Sequence, residues 1–257
     1  MEYGKIYKIN DRGMFITKNK DKLKKKPLNN DSIYLVLQFF IHSNEERQNE
    51  IKTCLKNNIK LGLFTKIIML NEKIYNSQEL GLNNDEMQNI EQINIGERLK
   101  FSTCFEKIKS MKISGYIVMV NSDIFFDKTI TNVRKSCLSE VKSLYTLLRF
   151  EYLEEKKLGF CKLFKYQGTN TPRADSQDVW IYHTNHTPSQ EIISQSNFNF
   201  GKPGCDNKIT YIFTQNKYIC LNVPWNVKTY HYHKTEIRNY SVKDVLPSPY
   251  LHVEPIL

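Results

Sequence analysis

The stretch "VMVNSDIFFD", residues 118–127, sets two carboxylates, Asp123 and Asp127, behind a short apolar run. Successive side chains of an extended backbone alternate sides, so Asn121 and Asp123 share a face while Ser122 turns away. Both can then meet one ligand. An oxygen-rich site of this kind suits Mg²⁺ or Mn²⁺ when diphosphate oxygens fill the remaining coordination positions. The plainer reading of Asp123 is a turn cap. Asp127 reaches the same place only if the backbone bends after Phe125, and otherwise caps the "DKTITNVRK" that follows.

A second set lies in "VKTYHYHKTEIRNY", residues 227–240, where His231 and His233 point to the same side of an extended chain. A neutral imidazole binds Mn²⁺ and leaves room for phosphate oxygens. His233 is preferred over His231 because Lys234 and Arg238 follow it and can face phosphate. The alternative is a satisfied strand histidine beside surface basic residues. A zinc hydrolase is less attractive, since no other compact His or Cys ligand set is present.

The elements that must position these groups are legible from periodicity. "SIYLVLQFF", residues 32–40, reads as a strand covered on both faces. Ser43 and Glu46 can form a capping box ahead of Ile51, Cys54, Leu55 and Ile59 at helical spacing. "FTKIIML" follows as a strand, and the polar residues 71–97 read mainly as an excursion from the sheet. Phe101, Cys104, Phe105 and Ile108 mark a helix face before the strand "GYIVMV". A helical candidate spans 133–141, "SLYTLLRF" and "DVWIYH" are further strands, and Ile209, Ile212 and Phe213 mark a helix before another apolar strand. The alternation predicts an α/β domain with a mostly parallel central sheet flanked by helices. In such sheets ligands gather beyond the carboxyl ends of the strands, where Asp123 would stand.

Length and composition bound the classes. At 257 residues, 40% hydrophobic and 12% aromatic, the chain can bury a core of one large domain. Its net charge of +10, from 37 Lys and Arg against 27 Asp and Glu, favours anionic partners. Part of that excess lies in "KNKDKLKKKP", residues 18–27, read as an exposed basic loop. No apolar run reaches the roughly 18 residues of a membrane span and no signal-peptide core opens the chain, so the expected compartment is cytoplasmic. The six cysteines are scattered and read as free thiols. A basic nucleic-acid-binding module is the alternative from another class, but no zinc finger, helix-turn-helix or RNA-binding signature supports it, and no nucleic-acid partner is expected. The assembly state stays open.

Taken together, "VMVNSDIFFD", "SQDVWIYH", "GKPGCDNKITYIF" and "KTYHYHKTEIRNY" make residues 32–240 resemble a nucleotide-sugar-dependent glycosyltransferase of the GT-A class. The likeness is nearest to glycosyltransferase-like proteins of large DNA viruses and microbes. It implies a Rossmann-like GT-A sheet, a nucleotide-sugar donor, a glycan or other hydroxyl-bearing acceptor, and Mn²⁺ or Mg²⁺. Residues 1–31 would then be an N-terminal segment with the basic loop, 32–143 the donor-binding half, 144–240 the acceptor and catalytic half, and 241–257 a tail. The class commonly binds metal through an Asp-x-Asp motif, and here Asn121 stands at its first acidic position. Asn121 coordinates through an amide oxygen but brings no charge. The resemblance also gives Asp206 the base position and a histidine of "HYH" a metal contact.

Transfer of a sugar needs charge stabilisation on the leaving diphosphate and a base for the acceptor proton. Asp123 would hold the metal, with Lys234, Arg238 or Arg98 as further donors, while Arg98 otherwise reads as a surface residue at a helix start. Asp206 is the preferred base, because "GKPGCD" brings it to a helix amino end; there it can equally serve as a cap. In "TPRADSQDVWIYH" the carboxylates Asp175 and Asp178 suit sugar hydroxyls, and Asp178 is an alternative base. Trp180, Phe125 and Phe126 read first as core.

Overall fold

The computed structural model describes residues 5–11, 13–18, 29–153, 157–235, 237 and 240–256. Most of the basic stretch 18–27, and Arg238, lie outside them. The chain opens with a hairpin of β1 (Lys5–Asn10) and β2 (Met14–Lys18), then enters the central strand β3 (Ile33–Leu37). Helix α1 (Glu45–Leu61) starts at Asn44, whose side chain accepts the Arg47 N–H, and stops at Gly62 with φ 64°. The cap is therefore Asn44 and not the Ser43–Glu46 box. Asn44 is itself fixed, its N–H donating to His42 Nδ1 at 2.9 Å.

After β4 (Lys66–Asn71) come two four-residue helices, α2 (Ser77–Leu80) and α3 (Asn84–Met87), each begun by an asparagine capping box. They lead into β5 (Ile90–Asn94), which pairs in parallel with β4. So 71–97 lies mainly off the sheet, as expected, but it also holds the sheet's edge strand. Its polarity is that of an edge, half exposed and lacking the continuous apolar run of a central strand. Helix α4 (Phe101–Ser110) then feeds β6 (Tyr116–Val120), all five of whose residues are buried, and β7 (Ile124–Phe126) follows.

A 3₁₀ helix occupies Lys128–Lys135, capped by Asp127, where the sequence placed a helix over 133–141. Strands β8 (Ser143–Leu147), β9 (Phe150–Glu151), β10 (Lys162–Leu163) and β11 (Val179–His183) come next. Helices α5 (Gln190–Gln195) and α6 (Cys205–Gln215) precede β12 (Ile219–Leu221), β13 (Thr229–His231) and β14 (Tyr250–Val253).

The main sheet has the order β12-β8-β11-β6-β3-β4-β5 and runs unbroken across residue 143. Only β11 is antiparallel to its neighbours, β8 and β6. This is the expected mostly parallel α/β sheet. Alternation along the strands divides the core in two. Leu35, Leu37, Val118 and Val120 pack with Ile51 and Leu55 of α1 on one face. Val36, Ile117, Met119 and Trp180 pack with Phe101 and Phe105 of α4 and Ile209 and Phe213 of α6 on the other. Trp180 is fully buried, edge-on to Phe101 with ring centroids 4.9 Å apart, which is its core reading. Phe125 and Phe126 are buried as well.

The reversed direction of β11 matters for the site. Because it runs backwards, the residues before it emerge at the edge where β3, β6 and β8 end. Val179 faces Val120 on one side and Leu147 on the other, so Asp178, Asn121 and the segment around Arg149 meet there. A small sheet of order β10-β9-β13-β7 is laid beside this edge, and a third joins β1, β2 and β14.

Candidate active site

A cavity of about 640 Å³ opens at that edge, lined from both halves of the chain by residues including Arg47, Arg98, Asp123, Asp178, Asp206 and His231. Asp123 reaches it from a turn. The Ile124 N–H donates back to the Asn121 carbonyl at 3.3 Å, so the backbone turns straight after β6 and does not stay extended through Asp123. Asn and Asp favour such turns. The turn sends Asn121 toward Asp178, to whose Oδ1 its amide donates at 2.9 Å, and sends Asp123 toward the small sheet.

Helix α1 clamps the strand that follows. Asn58 donates to the Ile124 carbonyl at 2.9 Å and accepts the Phe126 N–H at 3.1 Å. On β7's other side β13 runs antiparallel, with His231 opposite Ile124, and the Tyr232 N–H donates to the Asp123 carbonyl at 2.9 Å. This register brings His231 and, two residues on, His233 to the Asp123 carboxylate. Its Oδ2 lies 3.3 Å from His231 Nε2 and 3.9 Å from His233 Nδ1. The three residues present ligand atoms within 4.8 Å of one another.

The protons at these rings follow from their partners. His233 Nε2 lies 2.9 Å from the Ile237 carbonyl, which can only accept, so Nε2 carries the hydrogen. Burial, and then the charge of Arg47, hold the His233 pKa below its usual value. Its Nδ1 is then a bare lone pair facing a carboxylate. Arg47 and His231 balance the charge of that carboxylate, and the three donors together fit a divalent metal of the Mn²⁺ kind. His231 faces two carboxylates, Asp123 through Nε2 and Glu151 through Nδ1 at 3.2 Å. Burial works against its charged form, but Asp123 outweighs it and raises the pKa to about 9. A metal on Nε2 would displace that proton and leave Nδ1–H on Glu151, the outer carboxylate that orients many metal-binding histidines. Burial alone would raise the Asp123 pKa; His231 and Arg47 overcome it and hold the group well below the carboxylate range.

Charges continue in file from this centre. Arg47 binds Asp123 at 2.5 Å and Glu50 at 2.7 Å. Beyond His231 and Glu151, Arg149 donates to Glu151 at 2.8 Å, to Ser176 at 2.7 Å and to Asp178 at 2.6 Å, and lies over the Phe164 ring. Asp178 is thus held on both oxygens, by Arg149 and by Asn121. Asp206 stands in the first turn of α6, behind Gly204 with φ 81°. Its carboxylate accepts the Gln177 N–H at 3.1 Å and the Asn207 amide at 3.2 Å. Burial chiefly, with Asp178 and Asp175 adding to it against the Gln177 and Asn207 backbone hydrogen bonds, raises its pKa to about 7. A carboxyl so placed can exchange a proton near neutral pH.

The structure gathers Arg98, Asn121, Asp123, Asp178, Asp206, His231 and His233 around one cavity. Arg98 lines it and donates to the Phe200 carbonyl at 2.9 Å. Lys234 is exposed and does not line it, and Arg238 lies outside the described residues. Asp127 is turned away, capping the 3₁₀ helix and accepting the Tyr230 hydroxyl at 2.9 Å. Asn121 Oδ1 is buried with no hydrogen-bond partner among the described residues. Four participants escaped sequence reasoning: Arg47, Glu50, Arg149 and Glu151. The signal for Arg47 was present, since it precedes Ile51, Cys54 and Leu55 on the same helical face, where a charge demands a buried partner. All six cysteines are free thiols, and no helix among the described residues is long and apolar enough to cross a membrane.

No protein-family model matches the chain, and no curated protein matches its sequence. Solved structures do match. The mannosyltransferase PcManGT from Pyrobaculum calidifontis, in complex with GDP-Man and Mn²⁺, superposes with a TM-score of 0.52 at 8% identity. The match covers 86% of this chain but 62% of the mannosyltransferase, so the chain spans under two thirds of that protein. GalNAc-T7 with UDP, GalNAc and Mn²⁺ aligns at a TM-score of 0.48 and 11% identity, over 87% of this chain and 46% of its own. The superposition on the mannosyltransferase shows a fold of the GT-A kind, and at 8% identity the likeness is one of fold alone.

Proposed function

We propose that the protein transfers a sugar from a nucleoside-diphosphate sugar to an acceptor hydroxyl, with Asp123, His231 and His233 holding Mn²⁺ or Mg²⁺ beside the diphosphate. The observation that carries this reading is the convergence of Asp123, His231 and His233 at the cavity wall, their ligand atoms within 4.8 Å of one another. A bound divalent ion supplies positive charge against the departing diphosphate. Glu151 orients His231 for that task. Arg98 offers a further donor, while the Asn121 amide is held on Asp178 beside the site. In this reading residues 32–143 contribute most of the donor side and 144–240 the acceptor side. A cavity of about 640 Å³ lies in the range of roughly 300–1,000 Å³ typical of small-molecule sites.

Asp206 is the base we assign. Asp178 is ion-paired with the Arg149 guanidinium and positions the site, whereas Asp206 accepts only from uncharged amides and, with its pKa raised to about 7, is poised to take the acceptor proton as the new bond forms. The test is a panel of nucleoside-diphosphate sugars screened for binding and turnover with Mn²⁺ and then with chelator. Asp123→Ala should lose metal-dependent donor binding, while Asp206→Asn keeps donor binding and loses transfer. Equal nucleotide affinity with and without Mn²⁺ would end the metal assignment, and full turnover by Asp206→Asn would end that of the base.

A further inference from the structure

Arg47 Nη2 occupies the oxygen, Asp123 Oδ2, that His231 Nε2 and His233 Nδ1 also face. A divalent ion held by that oxygen and the imidazoles competes with Arg47 for it. Arg47 does not leave with it. Its Nη1 stays bound to Glu50 at 2.7 Å and to the Tyr232 carbonyl at 3.3 Å, and Glu50 is itself held by the Thr235 N–H at 2.8 Å and hydroxyl at 3.1 Å. The ion pair is buried, with side-chain exposures of 8% for Arg47, 4% for Glu50 and 12% for Asp123.

Metal entry without an anion would leave a buried guanidinium half unpaired beside a second cation, with Asn121 adding no negative charge. That is costly. A diphosphate removes the cost, since its oxygens match the planar donor fork of arginine and Arg47 lines the cavity where they would lie. We infer that Arg47 is a resident counter-ion on the metal-binding carboxylate, which keeps metal affinity low until a diphosphate arrives and then transfers its free donors to that diphosphate. Metal and nucleotide therefore bind with positive coupling, each strengthening the other by the same factor. The inference rests on the reading of the site as a metal–diphosphate site.

The experiment measures Mn²⁺ binding to the full chain by electron paramagnetic resonance, alone and with UDP or GDP, taking the Mn²⁺–nucleotide complex without protein as reference. Wild type, Arg47→Met and Arg47→Met/Glu50→Gln are compared, and the double variant removes the carboxylate that the single one strands. In wild type, the nucleotide should tighten Mn²⁺ at least tenfold. Both variants should bind Mn²⁺ alone at least tenfold more tightly than wild type, with coupling reduced below threefold. A double variant that folds and binds Mn²⁺ no more tightly than wild type overturns the inference, as does wild-type protein in which nucleotide leaves Mn²⁺ affinity unchanged. Because the first comparison uses no nucleotide and no sugar, a failure of sugar transfer is distinguishable from a failure of the Arg47 assignment.

Discussion

Asp206→Asn should make the protein more stable at pH 8 while removing its transfer activity. The carboxyl is raised from its ordinary value of 3.8 to about 7, burial being the main cause. A native state that keeps a proton the unfolded chain has released loses stability as pH rises from about 4 through about 7. At about 1.4 kcal/mol for each pH interval of one, the loss between pH 5 and pH 8 comes to roughly 3 kcal/mol. Asparagine has no such proton to lose, and its amide oxygen still accepts the Gln177 N–H. Urea denaturation at pH 5, 6, 7 and 8 gives both curves, and their difference isolates Asp206 from the other titrating groups. The variant should gain on wild type by roughly 2–3 kcal/mol across that range. Transfer by wild type should rise with pH through about 7 as the base ionises, and the variant should fall by about 10²–10⁴-fold. Parallel stability curves for the two proteins would refute the burial argument, whatever the activity shows.

Three further outcomes follow from contacts in the structure. Asn121→Asp, which restores the acidic pair of the sequence motif, puts a second carboxylate where the amide donated to Asp178 at 2.9 Å; unfolding without metal at pH 8 should show a loss of about 1–3 kcal/mol that shrinks toward pH 4. Gly204→Ala meets the Tyr250 hydroxyl at 2.9 Å from its new Cβ, at a φ of 81° that side chains rarely adopt, so thermal unfolding should show destabilisation of about 1–3 kcal/mol. Trp180→Ala should cost about 3–5 kcal/mol by denaturation, since the indole is fully buried against Phe101; a loss under 1 kcal/mol would contradict its core placement.

Local pattern alone determined much of this molecule. The apolar runs at 33–37 and 116–120 and the helical spacing of Phe101, Cys104, Phe105 and Ile108 became the strands and helix they implied, because which face is buried is written in the period of the side chains. His231 and His233 converge for the same reason, lying two residues apart on one extended segment. Edge strand β5 was hidden because IEQIN sets its two isoleucines three apart and so neither alternates nor runs apolar. What only the tertiary structure decided are the partners. Arg47 and Asp123 are 76 positions apart, and they meet because Asn58 clamps β7 to α1 while β13 pairs β7 in one register. Glu151 reaches His231, and Arg149 reaches Asp178, because β13 lies beside β9 and β11 runs against its neighbours. Where each proton sits, and so which carboxyl is poised as a base, depends on burial and charge at that meeting point, quantities that no stretch of sequence contains by itself.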